Sequence, residues 1–205
     1  IRLVRFPTTV LAQDDSGVGV KNGINAYGKK NFIGTFAVPY AVINDFSFLH
    51  GQPELTRRAG IIEAVKVALV KDTAFFRWIE DQCEKLTKLH PHTLEETVER
   101  SALLHAAHIA YGGDPFETGN SRPLDFGHWA AHKLEQLTDF ELSHAEAVSI
   151  GVALDTLYSW KSGRLDEASA MRILKVINKL QLPTWHASLE QKCAKGTREV
   201  FNGLE

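Results

Sequence analysis

The stretch that decides the fold is L-D-F-G-H-W-A-A-H, which runs from Leu124 to His132. His128 and His132 lie four residues apart in it, so a helix places both imidazoles on one face. Such a pair is compatible with a metal site, and also with two partly buried histidines of an amphipathic helix. The stretch therefore predicts a helix with an imidazole face, and the metal depends on the rest of the chain.

Two other stretches add side chains that bind metals. L-S-H-A-E-A-V, starting at Leu142, contributes His144 at a predicted helix start, and G-I-I-E-A-V-K, starting at Gly60, contributes Glu63. A carboxylate in such an apolar stretch needs a partner if it is buried, and either a metal or a neighbouring Lys or Arg would serve. Two imidazoles and one carboxylate with an open fourth position are typical of a catalytic zinc site, although cobalt and iron accept the same ligands.

The composition is that of an ordinary globular protein. The 205 residues are 44% hydrophobic and 23% charged, which is enough for one good core or two small domains. A net charge of −2 argues against a nucleic-acid surface, and no apolar run approaches the roughly 20 residues of a membrane span. Two cysteines and no visible signal peptide favour the reducing cytoplasm.

The chain changes character near residues 48–54. Up to about Phe48 it is rich in Gly, Thr and β-branched residues, and it predicts short strands at 3–6 and 41–43 with a loop over 18–31 between them. From Pro53 the pattern is helical. We therefore predict the end of an α/β domain at 1–50 and a helical domain at 51–205.

The helical part is divided by capping and breaking residues. Two capping boxes are predicted, at Thr93 with Glu96 and at Ser143 with Glu146. The predicted helices cover residues 53–71, 72 to about 90, 91–111, 124–137, 143–161, 165–180 and 183 onward.

Lysines punctuate the predicted loop. Lys21 and Lys30, with Asn25 and Asn31 nearby, are residue types that bind phosphate, but a solvated loop has the same composition. Its glycines do not form the G-x-G-x-x-G fingerprint of dinucleotide sites. A second polar loop, 114–125, carries three carboxylates that fit either acid–base chemistry or an ordinary connection between helices.

These stretches together resemble the 3-dehydroquinate synthase family, the sugar phosphate cyclases. The likeness runs through R-F-P-T-T-V-L-A-Q-D-D-S-G-V-G-V-K-N-G-I-N from Arg5, G-K-K-N-F-I-G-T-F from Gly28, and the three stretches quoted above. Their order and spacing match the family over nearly the whole chain. The resemblance implies a mainly α fold: the helical C-terminal domain of the family, preceded by the end of an α/β dinucleotide-binding domain.

The resemblance also implies roles for individual residues. Glu63, His128 and His144 match the zinc ligands, and His132 matches a histidine that assists proton transfer near the phosphate. Positions that line substrate and nicotinamide are matched by Asp15, Lys21, Lys30, Asn31 and Lys66, and positions that contact NAD by Thr8, Thr9 and Phe48. Glu117 matches a carboxylate of the polar loop. We assign Lys30 to the cofactor, and His132, Lys66, Asp15, Lys21, Asn31 and Asp125 to catalysis.

The substrate-binding positions depart from the pattern for dehydroquinate formation. Ser121 stands where an Arg holds the substrate carboxylate, Ala107 stands where a Lys does, and Asp125 replaces an Asn. Each lost hydrogen bond to a charged group costs on the order of 1.5–3 kcal/mol. A neutral seven-carbon ketose phosphate is therefore favoured over an acid.

The resulting prediction is a zinc- and NAD-dependent sugar phosphate cyclase that eliminates phosphate and forms a carbocycle. Alternatives are a true 3-dehydroquinate synthase, with His105, His108 or Arg122 replacing the missing cations, and a metal-dependent alcohol or glycerol dehydrogenase. A non-catalytic helical domain that binds a partner is a further alternative. The resemblance implies a homodimer, and it implies that a dinucleotide-binding half precedes this chain.

Overall fold

The structure is a computed structural model that describes residues 2–27, 29–113, 116 and 122–203, without the side chains of 25 and 29–31. The chain divides into two compact units, Ile1–Leu124 and Asp125–Glu205. The predicted mainly α architecture is confirmed, because helices dominate both units. The predicted domain boundary near residue 50 stays a prediction.

The first unit begins with a small parallel sheet. Strand β1 (Val4–Arg5) pairs with β4 (Ala41–Val42), which confirms the two predicted strands. A π-helix, Ala12–Ser16, follows β1. The buried amide of Gln13 donates to the carbonyls of Pro7 at 3.0 Å and Asp45 at 2.9 Å, so one side chain fastens this turn to segments on both sides.

The predicted loop over 18–31 is wrong. Residues Lys21–Ala26 (β2) and Lys29–Phe36 (β3) form an antiparallel hairpin, with Ile24 opposite Ile33. Tyr27 turns the chain with a φ of 54°. The Lys and Asn residues indicated a loop, but Ile24 and Ile33 are 62% and 53% exposed. A ribbon exposed to this extent does not need an apolar face, so its sequence lacks the usual alternation.

The described part of the first unit is completed by four α-helices: α1 (Ser47–His50), α2 (Glu54–Lys71), α3 (Thr73–Thr87) and α4 (Pro91–Tyr111). The long helices lie where they were predicted, and the Asp72 side chain caps α3 by accepting from Ala74 N at 2.9 Å. The capping box predicted at Thr93 and Glu96 is wrong. Pro91 starts α4 earlier, since its fixed φ suits the first helical turn.

Helix α2 is the centre of the first unit. It is buried over most of its length, and Ile61, Ile62 and Val65 are fully buried. Its glycine is required by the close approach of the π-helix segment, because a Cβ on Gly60 would lie 2.6 Å from the backbone nitrogen of Leu11. This contact sets how closely α2 packs against the π-helix at residues 12–16.

The second unit is built on α5 (His128–Leu137), α6 (His144–Lys161) and α7 (Glu167–Lys179). The capping box of Ser143 and Glu146 is confirmed. Helix α5 was predicted from residue 124 but begins at His128, because Gly127 adopts a φ of 80° and separates it from a 3-10 helix, Pro123–Asp125. A left-handed residue of this kind interrupts a right-handed helix.

The helix predicted from residue 183 onward is wrong. In the part of the chain that the structure describes, only 3-10 helices follow α7, at Ala187–Glu190 and Glu199–Gly203. Lys192 and Arg198 form an antiparallel bridge around Gly196, whose φ is 81°. The apolar residues between 183 and 200 lack a helical repeat, so nothing extends a helix there.

Among the described residues, no helix combines the length and apolar character needed to cross a bilayer. The longest of these helices, α4, carries three Glu residues and one Arg among its 21 positions.

Two backbones of the second unit meet at a pair of glycines. A Cβ on Gly151 of α6 would lie 1.9 Å from the carbonyl oxygen of Gly127, just before α5. Glu135, near the end of α5, contacts His144 at the start of α6, so the two helices run antiparallel. The glycine contact therefore sets how closely α5 and α6 pack.

Replacing Gly151 with Ala should lower the free energy of unfolding by about 1–3 kcal/mol or more, because the added methyl group overlaps a backbone carbonyl that cannot rotate away. Chemical denaturation of the purified protein measures this. Gly51→Ala is the control, since a Cβ there meets no atom within 4 Å. Equal effects of the two substitutions would contradict the close approach.

Candidate metal centre and charged cluster

A charged cluster is buried in the first unit. Glu63 and Lys66 lie on the apolar helix α2 and are 1% and 2% exposed. Lys66 Nζ lies 2.6 Å from Glu63 Oε2 and 3.4 Å from Asp15 Oδ1. One ammonium group thus links a carboxylate of α2 to a carboxylate of the π-helix.

Lys66 keeps its charge in this cluster. Burial by itself lowers the pKa of Lys66, but the carboxylates of Asp15 and Glu63 more than offset it and raise the pKa above the usual 10.5. Lys66 is therefore a fixed cation at neutral pH and not a proton acceptor. Its role in the first unit is to neutralise and orient the two carboxylates.

The π-helix is also anchored to α4. His105 Nδ1 lies 3.2 Å from Asp15 Oδ1, and Ser101 Oγ donates to the carbonyl of Asp14 at 3.3 Å. Asp15 thus has an imidazole on one side and an ammonium on the other. This places His105 beside a residue that we assigned to catalysis.

Asp14 is a buried carboxyl group that the sequence analysis missed. It is 1% exposed, and neither carboxyl oxygen has a hydrogen-bond partner among the described residues. Burial, and next the charges of Glu63 and Asp15, raise the pKa of Asp14 well above its usual 3.8, with Lys66 acting in the opposite direction. The D-D pair at 14–15 was the available signal, but only the fold distinguishes the fully buried Asp14 from Asp15, whose side chain is 19% exposed.

Three histidines converge in the second unit. The ring centroids of His128 and His144 lie 5.3 Å apart, those of His128 and His132 5.5 Å, and those of His132 and His144 5.9 Å. The predicted imidazole face of α5 is therefore present, and α6 adds a third imidazole to it.

The hydrogen bonds of two of these rings determine which nitrogen a metal would use. His128 Nδ1 lies 3.3 Å from the carbonyl oxygen of Phe126, and His144 Nδ1 lies 3.1 Å from Glu135 Oε2. A carbonyl only accepts, so Nδ1 of His128 carries the proton and Nε2 has the lone pair. Metal-binding histidines usually donate their second N–H to a carboxylate or carbonyl in this way. The donor set of the second unit therefore fits a zinc or cobalt ion.

The same unit offers a second grouping of ligand atoms. One nitrogen or oxygen from each of His132, Glu135 and His144 lies within 4.8 Å of the others. The sequence analysis missed Glu135, although its spacing of seven residues from His128 places it on the imidazole face of α5. Glu135 is thus either a ligand itself or the group that orients His144.

Asp155 on α6 is the third acidic residue that the sequence analysis missed. It accepts hydrogen bonds from the backbone nitrogen of Gly127 and from Trp129 Nε1, both at 2.7 Å. Burial raises the pKa of Asp155 above its usual 3.8, while the bonds from Trp129 and Gly127 act in the opposite direction. Asp155 thus contacts the residues on both sides of His128.

The residues predicted to bind NAD lie at the start of the first unit. Thr8 and Phe48 are exposed, while Thr9 Oγ1 accepts from Ala12 N at 3.1 Å and so helps to start the helical turn. Lys21 is exposed on β2, and Asp125 is half-buried in the second unit.

Some predicted positions cannot be placed. The side chains of Lys30 and Asn31, and the whole of Glu117 and Ser121, lie outside the described residues. Glu63 belongs to the first unit and the histidines to the second, so the predicted ligand set Glu63, His128 and His144 stays a prediction.

The burial of Asp14 has a pH-dependent consequence. The pKa of Asp14 is raised in the folded state, so above about pH 3.8 the carboxyl group ionises more readily in the unfolded state. The free energy of unfolding of the wild type therefore falls by up to about 1.4 kcal/mol per pH unit, until the pH reaches the folded pKa. In metal-free protein, Asp14→Asn should therefore gain stability relative to the wild type as the pH rises from 4 to 8, measured by urea denaturation. Asp81→Asn, at an exposed position of α3, is the control. A stability difference for Asp14→Asn that does not change with pH would contradict the burial of this carboxyl group.

Solved structures share this fold. The chain is 32% identical to 2-epi-5-epi-valiolone synthase from Streptomyces hygroscopicus subsp. jinggangensis 5008, solved with NAD+ and Zn2+ bound, with a TM-score of 0.84 over 91% of this chain and 52% of that one. A 2-deoxy-scyllo-inosose synthase complexed with carbaglucose-6-phosphate, NAD+ and Co2+ is 22% identical, with a TM-score of 0.79 over 100% of this chain and 54% of that one. The chain thus spans about half the length of these relatives.

A more distant match shows the fold alone. Maleylacetate reductase from Agrobacterium tumefaciens is 16% identical, with a TM-score of 0.57 over 95% of this chain and 58% of that one. The architecture is therefore shared with a reductase as well as with cyclases.

Two family models together account for almost the whole sequence. Residues 1–59 match the model described as 3-dehydroquinate synthase N-terminal, and residues 60–199 match the model described as 3-dehydroquinate synthase C-terminal. The second match alone covers more than half of the chain, and it includes Glu63 and Lys66 of α2 and all three clustered histidines. The resemblance found in the sequence is thus confirmed, and the chain belongs to the 3-dehydroquinate synthase family.

Proposed function

We propose that the protein containing this chain is a zinc- and NAD-dependent sugar phosphate cyclase. It would convert a neutral seven-carbon sugar phosphate to a carbocycle with elimination of phosphate, which makes it a carbon–oxygen lyase. The observation that carries the proposal is the histidine cluster of α5 and α6, in a chain 32% identical to a valiolone synthase solved with NAD+ and Zn2+.

The metal would be held by His128, His144 and Glu63. Two observations support the histidines: their rings lie 5.3 Å apart, and each has Nδ1 engaged, so that Nε2 is the nitrogen that would bind. Glu63 is included through the family resemblance, as a carboxylate buried on α2. Cobalt would occupy the same ligands.

When bound, NAD+ supplies a hydride acceptor and zinc a Lewis acid that polarises a substrate oxygen. The residues of the chain supply positioning and proton transfer. Lys66 stays protonated and orients Glu63 and Asp15, while His132 gives and takes protons near the phosphate. The phosphate would be bound by Lys21 and Asn31, and the dinucleotide by Lys30, Thr8, Thr9 and Phe48.

The preference for a neutral substrate follows from the residues that replace cations. Ser121 and Ala107 offer no positive charge, and Asp125 adds a negative one. A substrate carboxylate would find no cation at positions 107 and 121, and it would be repelled by the carboxylate of Asp125. Of the substitutes considered, His105 already pairs with Asp15 at 3.2 Å, so it is a poor replacement for the missing Lys.

After 3-dehydroquinate synthase, the second rival is a metal-dependent alcohol or glycerol dehydrogenase, since a reductase shares the fold. The two functions differ in the fate of the hydride, because a cyclase returns it to the same molecule and a dehydrogenase releases NADH. We further propose a homodimer, from the family resemblance. We also propose a reducing cytoplasm, because Cys83 and Cys193 are too few and too separated in the chain for a disulfide framework.

A turnover assay tests the proposed substrate. The full-length protein, loaded with NAD+ and Zn2+, should release phosphate from sedoheptulose 7-phosphate without net NADH formation. It should release little from 3-deoxy-arabino-heptulosonate 7-phosphate, because Ser121 and Ala107 cannot hold the carboxylate. Release from the acid alone would identify a 3-dehydroquinate synthase, and net NADH would identify a dehydrogenase.

Bound metal tests the ligand assignment. His128→Ala and His144→Ala should each reduce the zinc content of the purified full-length protein from about one equivalent to near zero, because removing one of three protein ligands disrupts the site. The matched control is His92→Ala, a histidine with a 90% exposed side chain, which should keep its zinc. Unchanged zinc in both ligand variants would show that the assignment is wrong.

A further inference from the structure

We propose that Asp155 is a positioning residue that fixes the orientation of His128 for metal binding. The inference rests on the proposed metal centre and adds to it a residue outside the ligand set. Asp155 belongs to neither grouping of ligand atoms at these histidines. It acts through its hydrogen bonds to the start of α5.

The geometry of the contact is specific. One carboxylate oxygen, Oδ2, accepts from the backbone nitrogen of Gly127 at 2.7 Å, and the other, Oδ1, accepts from Trp129 Nε1 at 2.7 Å. The two donors belong to the residues immediately before and after His128. Both oxygens are therefore used, and the backbone that carries the His128 side chain is held from both sides.

The position of Asp155 on α6 explains how it reaches this turn. His144, Gly151 and Asp155 are spaced by seven and four residues, so they lie on one face of the helix. Gly151 allows the backbone of Gly127 to approach, and Asp155 lies one turn beyond it. On this one face of α6, His144 contributes an imidazole to the cluster, Gly151 lets the start of α5 approach, and Asp155 accepts hydrogen bonds from that start.

The backbone N–H of Gly127 depends on Asp155 for its hydrogen bond. The φ of 80° places Gly127 outside the helix, and its N–H belongs to no helical ladder. Without Asp155 this N–H would lose a charge-assisted bond, and Trp129 would lose the acceptor for its indole N–H. The ring of His128 would then lose part of the constraint on its direction, while its own bond to Phe126 would remain.

An amide cannot replace the carboxylate. Asn offers one oxygen acceptor and one NH2 group, so at position 155 it would satisfy one donor and oppose the other. Asp155→Asn therefore removes half of the contact with almost no change in volume. Trp129→Phe removes the indole bond, but it leaves the carboxylate and its bond to Gly127 in place and turns no NH2 group towards a donor, so its effect should be smaller.

The test uses Co2+ as the probe on metal-free full-length protein. Binding is followed by the visible absorption of the ion, which reports the geometry of its ligands as well as their occupancy. Asp155→Asn should bind Co2+ about tenfold more weakly, the lower end of the effect of removing a group that orients a ligand. At saturating Co2+ its absorption spectrum should differ from that of the wild type, and Trp129→Phe should show a smaller change in the same direction.

Asp139→Asn is the matched control, because it removes the same charge from an exposed position of the same unit. Its affinity and spectrum should equal those of the wild type. A Co2+ affinity within twofold of the wild type and an unchanged spectrum in both Asp155→Asn and Trp129→Phe would overturn the role of Asp155 while leaving the metal centre intact. If the wild-type protein bound no Co2+, the metal centre and the role of Asp155 would both be overturned. If Asp155→Asn did not fold, the test would be the spectrum of Trp129→Phe: a change would support the role of Asp155, and no change would overturn it.

Discussion

The approach of two backbones at Gly127 and Gly151 is the constraint on which the second unit depends. No side chain fits between them, since a Cβ at Gly151 would lie 1.9 Å from the Gly127 carbonyl oxygen. This distance brings the start of α5 against α6, so that imidazoles from both helices meet. It also brings the carboxylate of Asp155 within reach of the first turn of α5. The histidine cluster is thus a consequence of helix packing and not of sequence spacing alone.

The first unit obeys a different constraint, the cost of burying charge. Helix α2 buries Glu63 and Lys66 together, and the pair is stable only because opposite charges lie 2.6 Å apart. Asp14 has no such partner among the described residues and is therefore favoured in its neutral form. Burying the three ionisable groups of Asp14, Glu63 and Lys66 lowers the free energy of unfolding. Such a cost is typical of a functional site. The fixed charge of Lys66 makes it a positioning group, and in the proposed function proton transfer falls to His132.

The sequence was most informative where local chemistry acts alone. The capping residue Ser143 and the i, i+4 pair on α5 depend only on neighbours in the chain, and both were predicted. The hairpin of β2 and β3 was missed, because an exposed ribbon does not require the apolar alternation that marks a strand. Glu135 and Asp155 were missed because their roles depend on which residues come together when α5 packs against α6. Residue spacing placed them on helical faces but could not identify their partners.

An anomalous-diffraction map of the full-length protein, recorded at the zinc edge, tests the central claim most directly. The proposed ligand set predicts one strong peak about 2.0–2.1 Å from Nε2 of both His128 and His144, with a carboxylate oxygen of Glu63 also bound. A peak bound instead by His132, Glu135 and His144 would contradict this assignment and make Glu135 a ligand. The absence of any zinc peak at these histidines would contradict the metal centre itself.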